Sequence, residues 1–377
     1  MVTCESLRQM KALVPDPRAM EEAGARWDRI AMPLDGLGLV QEDLIRMAGI
    51  RGRADDLLNH PRLLIMCADN GIVEEGVSQT GQETTALVAD SIACGESPAA
   101  ILARGAKCRI RVLDVGMTFD ARHPAVVSAK VARGTGNFAG NWTEDPEEDK
   151  KGTPWGAMSE EEALAAISIG IKEAKRAGDE GVGILLTGEM GIGNTTTSAA
   201  CLAALLGLPA EAVTGRGAGL SDAGLAAKRR IIDRALRRLP DRNADAERGR
   251  GADAIEILCR LGGLDIAALT GLILGANQER IPVLLDGLIT SAAALIADRI
   301  CPGAGGVCLA SHMGREPGMP HALAALGLKP IIQADLALGE GTGALLALEL
   351  LQAADRVYRS PKTFERLGIE SYRRDEG

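Results

Sequence analysis

Six short apolar runs, at 62–68, 109–115, 182–187, 281–286, 306–311 and 330–333, punctuate this chain of 377 residues. Each is four to seven residues long and lacks the polar alternation of a strand with one wet face. Runs of this kind are how strands buried on both faces appear in sequence. The segments between them carry helical patterns, as at 159–177, where Ser159-Glu160-Glu161-Glu162 supplies a cap and an acidic first turn. Alternating units of this type predict an α/β fold: a Rossmann-like, doubly wound, mostly parallel six-stranded sheet. Residues 1–50 and 349–377 are expected to form a small helical subdomain, and 51–348 the α/β catalytic domain. Aromatic residues are only 2% of the chain, against 46 glycines, so the core must be built from Ala, Leu, Ile and Val around close backbone contacts.

A net charge of −9 argues against nucleic acid as a partner, because phosphate backbones require a basic footprint. The basic clusters Lys228-Arg229-Arg230 and Arg237-Arg238 fall in a helical stretch and read first as a solvated face. Eight scattered cysteines form no C-x-x-C pair, so neither a disulfide framework nor a metal site is signalled. The first eleven residues are polar, unlike a signal peptide, and no apolar run reaches the roughly 18 residues of a membrane span. A cytoplasmic protein with no membrane partner is expected.

In a doubly wound sheet, ligands bind beyond the carboxyl ends of the strands. Asp69-Asn70-Gly71, Asp114-Val115-Gly116, Asp286-Gly287 and Ser311-His312-Met313-Gly314 follow four of the runs. After the third run comes Gly188-Glu189-Met190-Gly191-Ile192-Gly193-Asn194-Thr195, and after the sixth Leu338-Gly339-Glu340-Gly341. The glycines at 188, 191 and 193 lead into a helix start, where backbone N–H groups suit phosphate. The plainer reading is a turn capped by Asn194 or Thr195. No lysine precedes the threonines, so this is not a nucleoside-triphosphate loop. Glu340 admits two readings: an acid of a helix's first turn, or a proton acceptor at the sheet edge. Glu189 admits the same pair. His312 beside Ser311 lacks the surroundings of a serine nucleophile.

Taken in order, these segments resemble the nicotinate-nucleotide:dimethylbenzimidazole phosphoribosyltransferases of cobalamin lower-ligand activation. The resemblance runs through PLDGLG at 33–38, CADNGIVEEGVS from Cys67, VLDVGM at 112–117, VARGTGN at 131–137 and GEMGIGNTTTSAA at 188–200. It continues through GRGAGL at 215–220, GGLDIAALTG at 262–271, PVLLDG at 282–287, SHMGREPG at 311–318 and LGEGTGA at 338–344. It implies a homodimer without cofactor or metal. It also implies that nicotinate mononucleotide gives its phosphoribosyl group to an aromatic base, with inversion at the anomeric carbon. On that resemblance Glu340 is the catalytic base and Glu189 lies near the acceptor. Gly191, Asn194 and Thr195, with Gly217 and Gly314, cradle the nucleotide, and Lys228 contacts substrate.

Two departures stand out. Where the family's acceptor pocket often carries a serine and, eight residues on, a glutamine, this chain has Thr80 and Val88. Valine cannot hydrogen-bond a ring substituent, so a purine or a phenol is an alternative acceptor. A relative acting on phenols is a two-chain assembly, which makes a heteromer with a paralogue the alternative to a homodimer. The second departure is an acidic stretch within 140–156, expected to be an exposed loop. A non-catalytic nucleotide-binding homologue is the third reading, and the joint presence of Glu340, Glu189 and Lys228 speaks against it.

Overall fold

The computed structural model describes residues 2–140, 155–239 and 253–374. The acidic stretch lies almost entirely outside these residues. All six expected strands are present: β1 (Arg62–Ala68), β2 (Arg109–Gly116), β4 (Leu185–Met190), β5 (Val283–Leu285), β6 (Cys308–Met313) and β7 (Pro330–Gln333). A seventh, β3 (Val126–Ser128), pairs with Val112–Asp114 of β2, so the sheet has seven strands rather than six. Three half-exposed or exposed residues leave no apolar run to detect, which is why this edge strand escapes the sequence.

The strand order is β3-β2-β1-β4-β5-β6-β7, and every pairing is parallel. β1 is hydrogen-bonded to β2 on one side and to β4 on the other, so the winding reverses at this pair. Both faces are covered. Leu64 and Met66 of β1 enter one core, while Leu63, Ile65 and Cys67 enter the other. That division gives the uninterrupted apolar run its physical meaning.

On the first face the helices Glu160–Asp179 and Leu264–Glu279 press together. Ser159 and Glu162 form a capping box at the start of the former. The latter is buried along nearly its whole length, as a helix apolar all round must be. Their approach depends on missing side chains: a Cβ at Gly170 would collide with the Ala268 carbonyl oxygen, and one at Gly271 with that of Ile167.

On the second face lies Glu83–Gly105, which by length and composition could cross a membrane (mean hydropathy 1.3), contrary to expectation. It is two helices, Glu83–Cys94 and Pro98–Gly105, broken at Gly95 (φ 84°). Ser97 recaps the second by accepting the Ala100 N–H. Both pack against β2 through residues such as Ala86, Ala89, Ala99 and Ala103, while Leu87 and Ile101 remain exposed.

The chain ends meet. Trp27, on the helix Pro17–Arg29, packs against Tyr358 in a tilted arrangement with ring centroids 5.1 Å apart, and Ile30 bridges to Thr363. Arg374 donates to both carboxylate oxygens of Asp28 and of Asp35. These contacts support our proposal that the two ends form one helical subdomain. The boundary expected at residue 349 falls inside the helix Thr342–Tyr358.

Gly170→Ala is expected to destabilise the protein by about 1–3 kcal/mol, because the backbone of a packed helix must shift to admit a methyl group. Urea denaturation of both proteins measures this; equal midpoints and slopes would show that the helix pair has slack.

Candidate active site

A cavity of about 400 Å³ opens at the carboxyl ends of β4, β5, β6 and β7. A larger groove of about 770 Å³ runs beside the helix Gly38–Arg51. Arg46 of that groove reaches the carbonyl of Cys308 at the start of β6, so the groove belongs to the opposite edge of the sheet. The smaller cavity is the candidate site, since strand ends of a doubly wound sheet present their loops there.

The first wall follows β4. Gly191 lies so close to β1 that a Cβ would collide with the Ala68 carbonyl oxygen. Gly193 (φ 95°) is the cap residue of the helix Asn194–Leu206, and no side chain caps it. Asn194 and Thr195 are therefore the first helical residues rather than its caps, and their side chains are left for other work. Thr195 Oγ1 accepts a hydrogen bond from Lys228 Nζ at 2.9 Å. Lys228, on the helix Asp222–Arg238, is fully buried behind this wall, not on a solvated face. Burial lowers its pKa to about 8, and the Glu316 carboxylate partly offsets this. Gly217 (φ 53°) stands over Thr195, where a Cβ would come within 2.8 Å of the hydroxyl, and donates its N–H to Glu316 Oε1 at 3.0 Å. A helix N-terminus backed by a buried ammonium makes a site for an anion.

The second wall is acidic. Glu189, at the end of β4, is buried, and burial pushes its pKa up to about 8. Asn194 Nδ2 donates to Glu189 Oε2 and also, at 3.0 Å, to Asp265 Oδ2. Asp265 is itself fully buried and raised to about 6 by that burial. Its place at the start of an otherwise apolar helix makes it resemble a first-turn acid, and so it was not singled out from sequence.

Glu340 lies on the loop after β7 and precedes the helix rather than belonging to its first turn. Its backbone is left-handed (φ 60°) between Gly339 (φ 90°) and Gly341 (φ 83°). A Cβ at Gly188 would come within 3.0 Å of the Glu340 carbonyl, so the bare backbone of β4 gives this loop its seat. The carboxyl is half-buried and its Oε2 has no hydrogen-bond partner. Burial raises its pKa, while the Ala99 N–H and Ser97 hydroxyl draw it back. Asp286 and His312, after β5 and on β6, complete this wall.

Thr80 and Val88 line the cavity, as does Gly314. Two acids from the strand-end pattern are used within the fold instead. Asp69 accepts from Thr85 and from the Thr118 N–H, and Asp114 pairs with Lys130 at 3.1 Å.

The raised pKa of Glu189 has a consequence for stability. The folded protein holds this proton up to about pH 8, while the unfolded chain releases it near 4.5, the ordinary value for a glutamate. Stability from this group is therefore complete below pH 4.5 and is lost as pH rises to 8. Glu189→Gln is expected to melt higher than the unaltered protein at pH 8, with the gap narrowing toward pH 5. A pH series of thermal melts reads this, and a gap that is flat with pH would contradict it.

Known proteins share this architecture. The sequence profile of the family described as phosphoribosyltransferase matches residues 13–369. The nicotinate-nucleotide–dimethylbenzimidazole phosphoribosyltransferase of Chloroflexus aurantiacus is 40% identical, covering 94% of this chain and 95% of that protein. The protein of the same name from Thermus thermophilus is 39% identical, covering 94% and 99%. A crystal structure of the Thermus thermophilus enzyme superposes with a TM-score of 0.82 at 38% identity, covering 95% of this chain and all of that one. With nearly its whole length matched in sequence and in fold, the chain belongs to this phosphoribosyltransferase family.

Proposed function

We propose that the chain transfers the 5-phosphoribosyl group of nicotinate mononucleotide to a lower-ligand base, 5,6-dimethylbenzimidazole or a related azole. The products are nicotinate and an α-ribazole 5′-phosphate. The observation that carries this reading is an anion cradle and a carboxyl group with one oxygen left without a hydrogen-bond partner, on two walls of one cavity. The cradle is Thr195 with buried Lys228, and the carboxylate is that of Glu340.

The chemistry asks for little more. The helix start at Asn194 and the Lys228 ammonium hold the phosphate, while the glycines at 191, 217 and 314 let the sugar approach the backbone. The bond from the anomeric carbon to the pyridinium nitrogen breaks with its electron pair going to that nitrogen, so nicotinate leaves without being protonated. The azole nitrogen forms the new bond from the opposite face, and its N–H proton passes to Glu340. Positioning and proton acceptance are the two contributions required of the protein. The protonated Glu189 adds no second negative charge beside Glu340 near neutral pH, and its place on the acceptor side suits contact with a neutral ring.

Val88 favours a second reading, in which the acceptor is a purine or a phenol. Its side chain offers the pocket only apolar contact, and Thr80 offers a single hydroxyl. We propose a homodimer for the azole reading; the phenol reading brings a paralogous partner chain. Incubating the purified chain with nicotinate mononucleotide and a panel of benzimidazoles, adenine, phenol and p-cresol tests both. The azole reading expects a ribosylated benzimidazole from the lone chain. Products from phenols alone, or none until a second chain is added, would favour the other.

Two variants sharpen the assignment. Glu340→Gln is expected to bind nicotinate mononucleotide normally while turnover falls by at least about 10²-fold, the usual loss on removing a general base. A near-normal rate would remove Glu340 from that role. Val88→Gln is expected to shift kcat/KM toward acceptors with hydrogen-bonding ring substituents. An unchanged ranking of the panel would mean that this position does not gauge the base.

A further inference from the structure

We propose that Asp286 is the positioning residue of Glu340: it clamps the loop that carries the proton acceptor onto the end of the sheet. The proposal rests on the reading of Glu340 given above. Residues 339, 340 and 341 run consecutively through positive φ, a path that L side chains rarely adopt. At Gly339 and Gly341 the path is free of Cβ strain, but at Glu340 something must hold it.

Asp286 meets that requirement. Its Oδ2 accepts the Gly341 N–H at 3.2 Å, and its Oδ1 accepts the N–H groups of Gly343 at 2.8 Å and Ala344 at 3.2 Å. One carboxylate thus binds the residue directly after Glu340 and the first turn of the helix Thr342–Tyr358 together. Its oxygens face the positive end of that helix, an arrangement that favours the charged form of a carboxyl group against the burial that opposes it. Asp286 is 1% exposed, so these bonds are sheltered from water.

The anchor is itself held from both neighbouring strands. The Asp286 N–H donates to Thr187 Oγ1 of β4 at 3.2 Å. Its carbonyl accepts from Ser311 Oγ of β6 at 3.3 Å. His312 packs against the same turn so tightly that a Cβ at Gly343 would collide with its imidazole. Ser311 Oγ and His312 Nδ1 lie 2.9 Å apart, which fixes the ring beside the carboxylate. PVLLDG, SHMG and LGEGTG are therefore one mechanical unit, with Asp286 at its centre. Three of the roughly four acceptor positions of its carboxylate are taken by backbone. Its action is through the loop.

The test is a double-mutant cycle on the full-length enzyme. Asp286→Asn keeps the shape of the side chain but replaces one acceptor oxygen with a donor. It is expected to lower kcat at least about 10-fold, with KM and Kd for nicotinate mononucleotide within about twofold of the original. In a Glu340→Gln background the same change is expected to cost nothing further, since residues acting as a unit are not additive. Thr187→Val, which puts a methyl group in place of the hydroxyl that accepts the Asp286 N–H and donates to the Leu284 carbonyl, is expected to give a smaller kcat loss that also vanishes in that background. It decides the matter if Asp286→Asn does not fold.

Losses that multiply with Glu340→Gln, or that fall on KM, would assign Asp286 to scaffold or nucleotide contact and overturn the proposal. So would unchanged kcat in the single variants beside an impaired Glu340→Gln. Absence of turnover in the unaltered enzyme, or full activity of Glu340→Gln, overturns the underlying reading of the reaction instead, and the proposal with it.

Discussion

A parallel sheet covered on both faces has only its strand ends left for polar chemistry. In this chain that burial is what everything else follows from. Leu63 through Ala68 divide alternately between two cores, and the interior of β1 is closed to water and to ligand. Polar side chains must gather where the strands stop, and the reversal of winding between β1 and β4 opens a gap there for them to face. Small residues serve the same end. Glycines at 170 and 271 let two helices seal one face at close range, and the glycine at 188 lets a neighbouring loop rest on bare strand backbone.

Burial also sets the electrostatics of the site. Glu189, Asp265 and Asp286 are all withdrawn from water, and each is shifted toward its protonated form for that reason first. Their hydrogen bonds then separate them. Asp286 receives three backbone N–H groups at a helix start, which suits a charged carboxylate, while Glu189 shares one amide with Asp265 and remains the more basic of those two. Neighbouring carboxylates are thereby given different protonation states by their surroundings.

The strands were legible because double burial writes itself as a continuous apolar run. β3 was not, because three partly exposed residues carry no such record. Glu340 and Glu189 stood out through their glycine neighbours. Asp286 was visible as a strand-end acid, but its grip on the loop of Glu340 shows only in the fold. Asp265 was not visible, since an acid before an apolar helix is an ordinary helix start, and only the fold sets it to share the Asn194 amide with Glu189. Lys228 illustrates the same boundary. Its sequence neighbours Arg229 and Arg230 are basic, and helical periodicity alone left it on a solvated face. The resemblance to a family pointed to it, and the fold then explains how a lysine in such company turns inward to meet Thr195. The division of Glu83–Gly105 at Gly95 was equally hidden, because hydropathy averages across a turn that a single left-handed residue makes.

The buried Lys228 has one more consequence. With its pKa lowered to about 8, a fraction of its amines are uncharged in slightly alkaline solution while the cradle is empty. If the cradle binds phosphate as proposed, an anion settling beside Thr195 would restore the charge, and its arrival would draw protons from the medium. The heat of binding measured by calorimetry then depends on the ionisation enthalpy of the buffer, and affinity weakens as the solution is made more alkaline. On the proposed reading the cradle would act as an exchanger, taking up on average a fraction of a proton with each phosphate it accepts and returning it when the phosphate departs.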